Sequence, residues 1–334
     1  MQKTINKSFN IEGVTLHSGE KSNLSVNPAT ANTGIVFRRV DIKNSNEESL
    51  IEAKFNNVSV SDLCTKITNK YGVSVSTIEH LMSALHGMGI DNAIVEIDCD
   101  ELPILDGSSL EYVRNIEEVG LKSLNVEKKY LSISRPIVFS MNDSFVKVSP
   151  SDNLEIDYTI SYDHNLIKEQ RFNYEFKDSN QFKNLISNCR TFGFKEEVDS
   201  LRKKGLIAGG SLDNAIVLDK KGIVNNDKLR QENEFVKHKI LDFIGDIYLL
   251  GYSVKGAFEI YKGGHRLTHE TMNSIMSDHS NWPLINEDKL NDKIFELVFA
   301  KKYDSSLLDA KLSRLITLPK LIVILFLIFP ELKV

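Results

Sequence analysis

Two stretches far apart in the chain run helix, glycine, strand in the same order, and this echo constrains the fold more than any other feature. EHLMSALHGMGIDNAIVEI (residues 79–97) and KHKILDFIGDIYLLGYSVKGAFEI (residues 237–260) each carry a histidine early in a segment of helical period. A glycine and then an apolar strand follow in both. In the first stretch Ile78, Leu81, Met82 and Leu85 recur at helical spacing, Gly87 and Gly89 close the segment, and the β-branched run Ala93–Ile97 reads as a strand. Duplication of one unit and chance both produce such an echo, and the pattern leaves the two open.

Upstream of the first helix, short alternating runs such as Leu24/Val26 and Ile35/Phe37, parted by Gly, Asn and Pro, predict strands. Ser76 with Glu79, and Ser108 with Glu111, have the spacing of capping boxes, which predicts a helix from near Thr77 and a short one after Ser108. The stretch LKSLNVEKKY (121–130) lacks periodicity and separates this plan from its repetition. Strand patterns at 131–138, 145–148 and 154–160 precede helical ones near 179–188 and 234–250, and a strand at 254–260. At 334 residues the chain is long enough for two cores. Strands and helices that mix without strict alternation predict α+β layers and not a doubly wound sheet. The domains are read as 1–123, 124–300 and a C-terminal extension, 301–334.

With 41 Lys and Arg against 46 Asp and Glu, the net charge of −5 offers no general attraction to nucleic acid. Cys64, Cys99 and Cys189 form no CxxC pair, so neither a disulfide framework nor a thiolate zinc site is expected, and a reducing cytoplasm fits. The N-terminus lacks the apolar core of an export signal. Residues 315–329, LITLPKLIVILFLIF, are strongly apolar, but Pro319 and Lys320 interrupt them and they fall short of the ~20 residues that span a bilayer. A buried terminal element, a weak membrane-surface contact and an ending that differs from related sequences by accident are the three readings of that tail.

Four constellations could carry chemistry. On a helix, His238 and Asp242 stand at i and i+4 and Asp246 continues the stripe, at the border of an apolar stripe of Ile240, Leu241, Ile244, Ile247 and Tyr248. Imidazole and carboxylate one turn apart can reach a single zinc ion, and they can equally form a weak pair on a solvated face. Glu79-His80 offers a base beside a third ligand, or a capping carboxylate beside an ordinary histidine. His265, in the glycine-rich segment Tyr261-Lys262-Gly263-Gly264-His265 after a strand, is a candidate general acid or a turn histidine. The aromatics of Arg190-Thr191-Phe192-Gly193-Phe194, followed by the small residues of 205–212, could line an apolar channel or simply end a helix. His86, His164, His269 and His279 have no ligand-like spacing.

Together these segments resemble the UDP-3-O-acyl-N-acetylglucosamine deacetylase family, zinc amidases that commit bacteria to lipid A synthesis. The resemblance covers roughly residues 3–270. It rests on GVTLHSG (13–19), NTGIVFRR (32–39), TIEHL (77–81), LPILDGS (102–108), RTFG (190–193), HKILDFIGD (238–246) and KGGH (262–265). It implies two similar layered α+β halves, each with a small insert, and an active site between them. It also implies one Zn²⁺ per chain on His80, His238 and Asp242, Glu79 as general base and His265 as general acid. Asp246 would orient His265, Thr191 would face the developing oxyanion, and Lys239 and Tyr162 would line the nucleotide side. Phe192, Phe194, Val198, Ile207, Ser211, Leu212 and Val217 would form an acyl passage. The expected partner is an acylated UDP-amino sugar, with no nucleic acid and no stable protein partner. A catalytically silent binder of the same nucleotide sugar, and a zinc amidase for another amide, are the alternatives. Around Met141-Asn142-Asp143-Ser144 the family's frequent basic residue is missing, and beyond about residue 300 no counterpart is recognised.

Overall fold

The alternation of the N-terminal runs becomes a sheet with one buried side. In the computed structural model, which describes residues 1–43, 47–59 and 63–286, five strands lie in the order Phe9–Val14, Lys21–Pro28, Ala93–Ile97, Ile35–Arg39 and Leu50–Glu52. Ala93–Ile97 is antiparallel to Lys21–Pro28, with Val26 opposite Val95, and parallel to Ile35–Arg39, with Phe37 opposite Val95. Through the middle of these strands buried residues alternate with more exposed ones, so Leu24, Val26, Phe37, Val95 and Ile97 share a core with Leu81, Leu85, Val113 and Ile116 of the helices. The apolar tail at 315–329, the extension 301–334 and the last residues of 124–300 lie outside the described residues.

Helix α1 (Glu79–Gly87) starts two residues later than the capping pattern predicts. Thr77 adopts a left-handed φ of 58°, Ser76 ends a strand, and the Ser76 hydroxyl donates to Asp100 O. Glu79 is therefore released from capping. Helix α2 (Leu110–Val119) also lacks the box: Ser108 accepts from Leu110 N and donates to Asp106, and no side chain of its N-cap residue Ser109 caps it.

The second half is built on a seven-stranded sheet whose central strand is Ser253–Tyr261. That strand is flanked by Ser144–Ser149, antiparallel, and by Leu154–Ser161 and Lys129–Ser132, both parallel. The predicted strand at 131–138 is two strands, Lys129–Ser132 and Ile137–Met141, because Pro136 between them supplies no N–H to a ladder. Helices α3 (Ser179–Leu185), α4 (Lys195–Lys203), α5 (Glu234–Ile247) and α6 (His265–Met276) follow. A small sheet pairs Phe192–Phe194 with Ile216–Asp219, and α4 lies between these strands in sequence. The architecture is α+β, and Met1–Ile285 packs as one compact unit.

Candidate metal and acid–base site

The site depends on how closely two helices approach. A Cβ at Gly245 of α5 would lie 2.1 Å from Glu79 O of α1, so only glycine lets α5 lie against the first turn of α1. A helix-interior glycine costs about 1 kcal/mol against alanine, and here it brings Glu79 and His80 beside the carboxylates of α5. The sequence places His238, Asp242 and Asp246 at the border of an apolar stripe, and in the structure every residue of α5 but Lys239 is buried. Glu234, Lys237, His238, Asp242 and Asp246 are each less than a tenth exposed. A weak surface pair is thereby ruled out.

The ligand atoms of His80, His238 and Asp242 lie within 4.8 Å of one another. His238 Nδ1 is 3.1 Å from Cys189 O; a carbonyl only accepts, so Nδ1 carries the proton and Nε2 presents a lone pair. Burial pushes His238 down to about 3, which keeps the ring neutral. That lone pair faces Asp242 Oδ1 at 3.2 Å, and His80 Nε2 approaches the same oxygen at 3.6 Å. Asp242 Oδ1 is buried and has no hydrogen-bond partner. Electron-rich atoms converging on a buried, unsatisfied carboxylate oxygen repel one another unless a cation lies among them, and two nitrogens with one oxygen suit divalent zinc. The residues present fit the metal.

Asp242 Oδ2 accepts from Lys239 Nζ at 3.0 Å. Burial works to raise the Asp242 carboxyl, but the Lys239 ammonium on Oδ2 opposes it, and the group is held well below the usual range. Lys239 is likewise opposed by burial and held above its ordinary value by Asp242. Ser109 Oγ donates to His80 O at 2.7 Å, tying the loop before α2 to the ligand helix.

Beside this cluster lies a second one, in which both Asp246 oxygens, His265 Nδ1 and Glu79 Oε2 have hydrogen-bond partners. His265 is the first residue of α6 and not a loop residue; Lys262, at φ 51°, turns the chain and extended Gly264 leads into the helix. His265 Nδ1 is 2.7 Å from Asp246 Oδ2, and its Nε2 is 3.8 Å from Glu79 Oε1. Burial pushes His265 down, but the Asp246 carboxylate and then Glu79 outweigh it and bring the ring up to about 9. Burial raises Glu79 above the usual carboxylate range, against the pull of His265 and His80. Thr65 joins both groups: its N–H donates to Glu79 Oε2 at 3.1 Å, and its hydroxyl is 2.5 Å from Asp246 Oδ1 and 3.1 Å from His265 Nδ1. Nothing in the sequence singled out Thr65 or the Cys189 carbonyl, since both act through contacts with residues far away in the chain.

The remaining predicted residues separate into two groups. Tyr162, Phe192 and Phe194 cluster, with Phe192 5.7 Å and Phe194 5.4 Å from the Tyr162 ring, and the Phe192 ring is 6.4 Å from His238. Lys239 Nζ stands 5.9 Å over Phe192. Thr191, two residues beyond Cys189, is fixed by its backbone, which donates to Gly107 O and accepts from Ile216 N. Ile207 is buried in a turn that docks on the first half through Ala208 N to His17 O and Gly209 N to Leu16 O, and Ser211 and Leu212 stand exposed beyond it. Val217 is half-buried in the small sheet. Among the described residues, Ile207, Ser211 and Leu212 make no hydrogen bond or ring contact with Glu79, His265 or the three clustered ligands.

The family model for UDP-3-O-acyl N-acetylglycosamine deacetylase matches residues 2–277. The chain is 42% identical over 281 residues to the UDP-3-O-acyl-N-acetylglucosamine deacetylase of Syntrophus aciditrophicus, covering 84% of this chain and 88% of that protein. It is 41% identical over 290 residues to the enzyme of the same name from Haemophilus influenzae strain PittEE, covering 86% and 94%. Over 285 residues it is 41% identical to that of Vibrio parahaemolyticus, covering 84% and 92%. A match spanning both helices of the site, at this identity, places the chain in the UDP-3-O-acyl N-acetylglycosamine deacetylase family.

Proposed function

We propose that the chain hydrolyses the N-acetyl group of UDP-3-O-(3-hydroxyacyl)-N-acetylglucosamine to the free amine and acetate, the committed step of lipid A biosynthesis. The observation that carries this reading is the pairing of two unlike clusters. One is a buried donor set short of a cation, and the other a carboxylate and an imidazole held 3.8 Å apart beside it. His80, His238 and Asp242 would hold zinc, which when bound supplies Lewis acidity towards an amide carbonyl and a water acidified to a pKa near ~7. Glu79 Oε1 accepts the proton of the attacking water as its oxygen bonds to the acetyl carbon. His265, protonated on Nε2 because Nδ1 is committed to Asp246, stabilises the oxyanion and gives that proton to the nitrogen as the C–N bond breaks. Thr191 is assigned to the oxyanion as well.

Lys239 and Tyr162 are assigned to the nucleotide sugar, and Phe192, Phe194, Ile207, Ser211, Leu212 and Val217 to its acyl chain. The division into halves at residues 123/124 belongs to the same proposal; every sheet among the described residues lies wholly on one side of it. A cytoplasmic location is inferred as well; among the described residues no helix is long and apolar enough to cross a membrane. The test is product analysis with the purified zinc-loaded protein on acylated and unacylated nucleotide sugars, with and without a chelator. Acetate release from the acylated substrate that chelation abolishes is expected. Release that survives removal of the metal overturns the mechanism, and no release overturns the activity.

A further inference from the structure

One buried threonine reaches all three acid–base groups at once, and we propose that Thr65 is a positioning residue that fixes the Glu79–His265 pair in register with the metal-facing side chains. This rests on the reading of Glu79 as base and His265 as acid. Thr65 is almost fully buried at the start of the strand Lys66–Thr68, and its carbonyl accepts from Ile78 N at the entry to α1. Its own N–H is spent on Glu79 Oε2, which leaves Oε1 as the oxygen that faces His265 Nε2.

The hydroxyl completes the argument by proton counting. Asp246 Oδ2 already takes the Nδ1 proton of His265. The single Thr65 proton therefore goes to Asp246 Oδ1 at 2.5 Å, and the Thr65 oxygen lies 3.1 Å from Nδ1 as a second acceptor for the imidazole N–H. Both Asp246 oxygens are then occupied, so the carboxylate cannot rotate to offer His265 a different geometry. The imidazole is held in the tautomer that points Nε2 at the reacting centre. From a single position, 181 residues from Asp246 in sequence, the chain sets the distance between base and acid. A hydroxyl that served only to fill space would need none of this geometry.

The test compares Thr65→Val, which keeps the branched shape and removes the hydroxyl, with Thr65→Ser, which keeps the hydroxyl and removes the methyl. Each is made as zinc-loaded full-length protein. Because misplacing a catalytic group by ~1 Å can cost about a hundredfold, Thr65→Val is expected to lower kcat by about ten- to a hundredfold at unchanged KM and zinc content, with Thr65→Ser within about threefold of wild type. The second readout needs no substrate. In protein labelled with ¹⁵N-histidine, the Nδ1–H resonance of His265, assigned by its loss in His265→Gln, should exchange with water much faster in Thr65→Val and not in Thr65→Ser. Where Thr65→Val alters the circular dichroism, Thr65→Ala takes its place. Equal losses in the serine and valine proteins, or a valine protein that keeps both kcat and the resonance, overturn the proposal. Should the wild-type protein release no acetate, the substrate reading falls while the resonance comparison still decides the role of Thr65.

Discussion

Asp242 and Asp246 stand one turn apart on the same buried helix, yet their surroundings are opposite. Asp246 has a donor on each oxygen, Thr65 on one and His265 on the other. Asp242 has Lys239 on one oxygen and, on the other, two imidazole nitrogens of which His238 at least presents a lone pair. A helix repeats its faces every turn but not its neighbours. Donors that complete a carboxylate mark it as a holder of another side chain; donors withheld from a buried one mark it as a holder of a cation. The two shells also push ionisation apart, Asp242 downward and His265 upward to about 9.

The largest expected effect tests the metal-facing half of that contrast. His238→Ala or Asp242→Ala should contain no zinc and retain only background activity. Chelation of the wild-type protein should lower its Tm, since a ligand that binds only the folded state stabilises it by mass action. Asp246→Asn should keep its zinc. Metal analysis that finds Asp246→Asn as empty as Asp242→Ala would erase the distinction between the two carboxylates.

Next in size is the base. Glu79→Gln keeps the volume and removes the proton acceptor, so kcat should fall by about 10²–10⁴ with zinc retained. If Glu79 were instead a capping residue, the same change would lower Tm and spare kcat, and the backbone already argues otherwise, because Ser76 N–H donates to Asp100 O and not to Glu79.

The third prediction concerns pH, and its sign follows from the opposing influences on His265. The acid must be protonated to act, so the rate falls as pH rises through its pKa. Burial pulls that pKa down and the Asp246 carboxylate lifts it to about 9. Asp246→Asn removes the lift, and the alkaline limb of kcat/KM should move to lower pH, towards or below the ordinary 6.5 of histidine. The acid limb, set by Glu79 whose pKa is raised by burial, should lie above the usual range for glutamate in both proteins. An alkaline limb that does not move would separate Asp246 from the acid function.

These contrasts bear on what the sequence discloses. Periodicity locates α1, α5 and the strand Ala93–Ile97 because their apolar residues repeat at the spacing of the element. It cannot disclose that every residue of α5 but Lys239 is buried. His238, Asp242 and Asp246 read as standing at the border of an apolar stripe, and the partners of the buried polar residues come from elsewhere: Arg190 for Glu234, the Cys189 carbonyl for His238, Thr65 for Asp246. The capping box at Ser76 fails for the same reason, since a left-handed Thr77 and a distant Thr65 N–H claim the residues the local pattern assigns to the cap. The family resemblance names the acid, the base and the ligands; it does not supply the hydroxyl that orients them.

The smallest expected effect extends the comparison from the buried clusters to the segment assigned to the acyl chain, where two neighbouring residues differ as sharply as the two aspartates. Ile207 is 8% exposed, and Leu212, five residues on, is 45% exposed. Ile207 also sits at φ 49°, a left-handed conformation that costs a β-branched residue about 1–3 kcal/mol and persists only where the surroundings impose it. Here they are the turn's hydrogen bonds to Leu16 and His17. Substitution of Ile207 would disturb folding and binding together, whereas Leu212→Asp adds a charge to an exposed position, where stability changes stay within about 0.5 kcal/mol. Each methylene of an acyl chain buried against such a surface contributes about 0.8 kcal/mol, so losing contact with two or three of them predicts roughly a ten- to fiftyfold drop in kcat/KM for acylated substrate. Part of that drop should appear in kcat if remote binding orients the acetamide. Turnover of the unacylated sugar, zinc content and Tm should stay as in wild type. An equal loss on both substrates would place Leu212 in the path of the sugar and leave the acyl passage to the aromatic cluster around Phe192.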